Sequence, residues 1–114
     1  MKITPEKVKA VYRMLLLFEP FSRWSLPPAE RLVFVVVPYK SEWGEYNPEK
    51  KTLRISSAKV STFLSLVCAV AHEMVHVRQD VAGRWPVGEA HNSDFKRMTR
   101  QICKEFEFLD PHNF

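Results

Sequence analysis

Phe63-Leu64-Ser65-Leu66-Val67-Cys68-Ala69-Val70-Ala71-His72-Glu73-Met74-Val75-His76 is the stretch on which the reading of this 114-residue chain turns. The apolar run predicts a helix that is mostly core, and at its end stand two imidazoles and a carboxylate in the H-E-x-x-H arrangement. On an α-helix, residues four apart lie on one face about 6 Å apart along the axis, so His72 and His76 reach one metal ion while Glu73 stands on a neighbouring flank. At rough frequencies of ~2% His and ~6% Glu, the pattern arises by accident in well under ~1% of chains this short. Histidines and a glutamate inside an apolar helix are also costly unless paired or bound. Zinc with an open coordination position holds water and lowers its pKa to about 7, and a carboxylate beside it can carry the proton to a leaving group. A hydrolytic centre is expected, with Glu73 as general base.

Outward from the motif, Ser57 or Ser61 is a candidate cap for this helix, which should run to about Val81 and stop at Gly83. Upstream, Leu32 to Val37 is a continuous β-branched and aromatic run closed by Pro38, as expected of a central strand buried on both faces. A weaker strand covers about Glu42 to Tyr46 and another Thr52 to Ser56, with Asn47-Pro48-Glu49-Lys50 as the hairpin turn between them. Thr4 suits an N-cap and Pro5 a first helical position, and Val8, Val11, Tyr12, Leu15 and Phe18 repeat at helical spacing toward Glu19-Pro20. Residues 21–30, with Trp24 and Pro27-Pro28, read as a loop that packs its aromatics over the core edge. The last helix is expected from Ser93 to Phe106, burying Phe95, Met98, Thr99, Ile102, Cys103 and Phe106.

Length allows one domain with one core. A hydrophobic content of 46% with 26% charged residues is ordinary for a globular chain, and 8 Pro against 3 Gly favour stiff connections. The net charge of +4 is compatible with an anionic partner without requiring one. Arg97, Arg100 and Lys104 form a basic stripe on the last helix that could meet nucleic acid, the alternative being a solvated helix face. Cys68 and Cys103 sit among apolar neighbours and read as reduced thiols. No run approaches the ~18 apolar residues of a membrane span, so a soluble, cytoplasmic protein without membrane association is expected.

Catalytic zinc commonly takes three protein ligands. The remaining histidines are His91 and His112. About ten residues separate the end of the motif helix from His91, and such a chain reaches ~30 Å, ample for the turn back. His112 stands in the terminal residues and reads as a surface group. Glu89 is the competitor, because a histidine pair with a downstream glutamate is an established zinc set, while His91 needs no proton loss and precedes a helix start. Cys68, four residues before His72 on the same face, is a candidate fourth ligand.

Leu53-Arg54-Ile55-Ser56, then His72-Glu73-Met74-Val75-His76, then His91-Asn92-Ser93-Asp94-Phe95-Lys96 resembles the SprT-like metallopeptidases, which include the Spartan and Wss-type proteases. The resemblance covers roughly residues 31 to 106 and departs from the familiar pattern at Asn92, where a glycine is usual. It implies zinc on His72, His76 and His91, Glu73 as catalytic base and Phe95 as a packing residue. The metzincin pattern fails at Gln79 and Ala82. A second resemblance, to ImmA/IrrE-type regulators with a downstream acidic ligand, corresponds to Glu89.

The expectation is an α+β, zincin-like minimal domain spanning residues 1–114. It comprises an N-terminal helix, a short, mostly antiparallel sheet of about three strands, the H-E-x-x-H helix and a C-terminal helix. Its expected activity is zinc-dependent hydrolysis of a protein or peptide substrate. An extended substrate could add to a free edge of the strand before the metal helix. Tyr39, Tyr46 and Arg84 are candidates to steady the oxyanion. The other function class is a non-catalytic zinc module, with Glu73 idle.

Overall fold

The Thr4 hydroxyl accepts from the backbone N–H of Lys7 and Pro5 takes the first helical turn, which starts helix α1 (Pro5–Leu15) where the sequence places it. In the computed structural model, which describes residues 1–39 and 42–109, α1 ends earlier than the periodicity suggests. Leu17 and Phe18 bond back three residues rather than four, and the residue before Pro20 is disfavoured in helix, so the last turn tightens and closes. Two short 3₁₀ turns follow, Phe21–Arg23 and Ala29–Arg31. Phe21 and Trp24 are buried and meet edge to face at 5.3 Å, as expected of that loop.

The sheet holds strands β1 (Val33–Val37), β2 (Gly44–Asn47) and β3 (Thr52–Ser56) in the order β1-β3-β2. Asn47 makes the β2–β3 hairpin by accepting from the backbone N–H groups of Glu49 and Lys50, both at 3.0 Å. β2 pairs antiparallel with β3, and β1 pairs parallel with β3, Val33 facing Thr52 and Val37 facing Ser56. The sheet is therefore mixed, where mostly antiparallel pairing was expected. The central strand is β3, whose Leu53 and Ile55 are fully buried, and not the apolar run of β1, whose Val33 is 53% exposed. A continuous apolar run reports burial without reporting neighbours, and here Phe34 and Val36 reach the core from a sheet edge. With both its edges paired, β3 offers no free edge; among the described residues the unpaired edge near the motif belongs to β2.

Helix α2 (Phe63–Val81) is capped by Thr62 rather than by Ser57 or Ser61. Thr62 accepts from the Ser65 backbone N–H at 3.1 Å while the Ser65 hydroxyl accepts from the Thr62 N–H at 3.0 Å, a reciprocal capping box with serine in the place usually held by Glu or Gln. At the other end Gly83 adopts φ 72°, the left-handed turn that glycine takes at least cost. Phe63 and Leu64 are exposed, so the core stretch of α2 begins at Leu66. From there Leu66, Val70, Ala71, Met74, Val75 and Val77 are at most 1% exposed, each larger aliphatic contributing ~1.5–3 kcal/mol of burial. α1 packs on β1 and α2, while α2 also packs on β2 and β3. Helix α3 (Ser93–Glu105) packs on α2 through Phe95, Met98, Thr99 and Ile102, with Cys103 and Phe106 half-buried. Among the described residues, no helix is long and apolar enough to cross a membrane. Among the described residues the architecture is α+β: three α-helices with a three-stranded sheet.

Candidate metal centre

α2 carries His72 and His76 one turn apart, with ring centroids 5.4 Å apart, and the N-terminus of α3 brings His91 to 4.8 Å from the His72 ring and 5.5 Å from that of His76. One ligand nitrogen from each of the three lies within 4.8 Å of the other two. A metal with bonds of ~2.0–2.1 Å draws its ligands closer together than this, so the set needs only a small inward turn of the rings. The floor is Phe95, which is buried and stacks on His91 at 4.2 Å and on His76 at 4.9 Å. Among the described residues the group contains no cysteine and no carboxylate. Glu89 is exposed and lies outside it, half-buried Cys68 also lies outside it, and Cys68 and Cys103 are not joined in a disulfide. His112 lies outside the described residues.

Three neutral imidazoles are the donor set zinc favours, and the surroundings keep them neutral. Burial pushes His72 down to about 3, with the like charges of His76 and His91 acting in the same direction. Burial also lowers His76, against the bond from Gln79, and lowers His91, against the neighbouring Glu89. Glu73 is buried with its Oε2 4.0 Å from His72 Nε2. Burial pushes its carboxyl up to about 8, helped by Glu45 and Glu42 and opposed by Arg54 and the Tyr46 backbone N–H. The backbone of β2 runs close beside it: a Cβ on Gly44 would stand 2.8 Å from the Arg54 carbonyl oxygen and 3.3 Å from Glu73 Oε2. Glycine at this point lets strand, partner strand and carboxylate share the space.

Gln79 is a residue beside the histidine cluster that motif reading passes over. It is fully buried, and its Nε2 donates to Asp94 Oδ2 at 3.2 Å and, more weakly, to Asn92 Oδ1 at 3.4 Å. Both are acceptors, so the amide is oriented with Oε1 toward His76, where it accepts from Nδ1–H at 3.0 Å. That bond protonates Nδ1 and leaves the Nε2 lone pair of His76 for a metal. Asn92 in turn caps α3 by accepting from the Phe95 N–H at 3.0 Å. Gln79 thus ties His76 on α2 to the helix start that delivers His91. Gln79→Leu is expected to lower zinc affinity about 10–100-fold, read by competition with a chromophoric chelator. Unchanged affinity with a lowered Tm would reduce Gln79 to a strut.

None of the three oxyanion candidates lines the groove at this centre. Tyr46 is buried and donates its hydroxyl to Asp80 at 2.7 Å, Arg84 donates to Asp94 at 3.2 Å, and Tyr39 is exposed beyond β1. The groove measures about 960 Å³ and is bordered by Trp43, Gly44, Leu64, Cys68, Ala69 and Ala90, with His72, Glu73 and His91 at its base. Of the basic stripe, Arg97 pairs with Asp94 at 2.6 Å, while Arg100 and Lys104 are exposed. No family model matches the chain, and no curated protein or solved structure matches it.

Proposed function

We propose that the chain is a zinc-dependent metallopeptidase of the SprT-like kind, a cytoplasmic zincin-like domain that hydrolyses peptide bonds. The observation that carries this reading is the convergence of His72, His76 and His91, with buried Glu73 4.0 Å from one of the rings. When bound, zinc supplies Lewis acidity, polarising the scissile carbonyl and making water acidic enough to attack near neutral pH. The three imidazoles would hold the ion, and Gln79 fixes the ring of His76. The charge of a bound ion beside Glu73 would favour its carboxylate against the effect of burial, and in that form Glu73 would accept the proton of the attacking water and pass it to the leaving amine. The apolar walls of Trp43 and Leu64 take substrate side chains, and the unpaired edge of β2 offers backbone groups to an extended peptide.

A non-catalytic zinc module usually closes its site with a fourth protein ligand. Cys68 stands nearest by sequence but outside the group, which favours the open, catalytic arrangement. The acidic third ligand of the regulator-type resemblance likewise finds no support in exposed Glu89. The test is cleavage of unfolded casein, run alone and with single- or double-stranded DNA because of the exposed Arg100 and Lys104. Cleavage should vanish with a chelator and return with stoichiometric zinc. A zinc-loaded protein that cleaves under none of these conditions would contradict the reading.

A further inference from the structure

Four arginines from separate parts of the chain line one cavity of about 300 Å³: Arg23 after α1, Arg78 on α2, Arg84 after it and Arg97 on α3, with Trp24 and Gln101 beside them. The cavity shares none of the residues that border the metal groove. Its charge is only partly matched. Arg23 pairs with Glu19 at 2.6 Å, whereas Arg84 and Arg97 share the single carboxylate of Asp94. Arg78, half-buried, gives one N–H to the Trp24 carbonyl at 2.6 Å. Each guanidinium carries five donors, and among the described residues most of these find no acceptor.

Four like charges gathered in one concavity repel one another, and a bound anion would relieve this. A carboxylate presents its acceptors in one plane, and that of Asp94 is already shared between Arg84 and Arg97. A tetrahedral oxyanion offers acceptors in several directions and suits forks that converge from different elements. We propose that this cavity binds a phosphate group, held by Arg23, Arg78, Arg84 and Arg97 with the Gln101 amide at its rim. The site stands independently of the hydrolase reading. Asp94, which forms part of its surroundings, also accepts from Gln79, so the phosphate site and the His76 ligand share one hydrogen-bond network.

The probe is inorganic phosphate, titrated calorimetrically at low ionic strength into the full chain and into Arg23→Gln, Arg97→Gln and Lys59→Gln. Arg23 and Arg97 are exposed residues on different elements, so both variants should fold, and Lys59 is an exposed cation outside the cavity. The expected result is saturable binding, weakened about tenfold or more by either arginine change and unaffected at Lys59. A parallel titration uses a short single-stranded oligonucleotide without terminal phosphate. Binding with the same arginine dependence identifies a backbone phosphodiester as the source, while phosphate binding alone identifies a monoester or the free ion. Either result supports the site. Non-saturating binding, or equal losses in Lys59→Gln and the arginine variants, would leave general surface attraction and overturn it.

Discussion

Glu73→Gln is expected to keep its zinc and its fold while losing peptide cleavage by about 10²–10⁴-fold, the usual contribution of a positioned general base. Glutamine preserves shape and one acceptor oxygen, so the close packing against Gly44 and the Tyr46 N–H is not disturbed. It also removes a carboxyl that burial and the nearby Glu45 and Glu42 disfavour as an anion, so no loss of stability is expected. What it cannot do is accept a proton. The check is kcat for casein cleavage beside zinc content and Tm measured on the same preparation. Equal cleavage by the variant and the wild type would remove Glu73 from the mechanism, whatever the metal does.

Removing one imidazole at a time should have the second large effect. His72→Ala, His76→Ala and His91→Ala are each expected to weaken zinc binding by more than the ~10–100-fold typical of losing a supporting residue, because two nitrogens seldom hold the ion. The three variants differ in what else they disturb. His91 is exposed, so its loss should leave the fold intact, whereas His76 is only 8% exposed and bonded to Gln79, so its loss also opens a small void and leaves a buried amide oxygen unpaired. Zinc content after dialysis against a weak chelator separates the cases. Full retention of metal in His91→Ala would place the third ligand elsewhere.

How much of this was legible in the sequence follows the range of the interactions involved. The helix around the motif and the hairpin turn at Asn47 depend on neighbours within a few residues, and their patterns are plain. The nearness of His91 to the pair was reachable by counting residues of chain. Strand order was not, because β1 joins β3 across the whole hairpin, and an apolar run looks the same at an edge as at the centre. The role of Gln79 leaves no local signal for the same reason: its partners Asn92 and Asp94 lie 13 and 15 residues away, and only folding makes them its neighbours. The cap at Thr62 did leave a local signal, Thr-x-x-Ser, but with serine as an uncommon second member.

The most direct test of the central claim is metal analysis of the purified wild-type chain combined with X-ray absorption at the metal edge. About one zinc per chain is expected, with three imidazole nitrogens at ~2.0–2.1 Å and one further light atom from solvent completing the shell. A chain that binds no zinc, or one whose zinc carries a thiolate sulfur or four protein ligands, would contradict it.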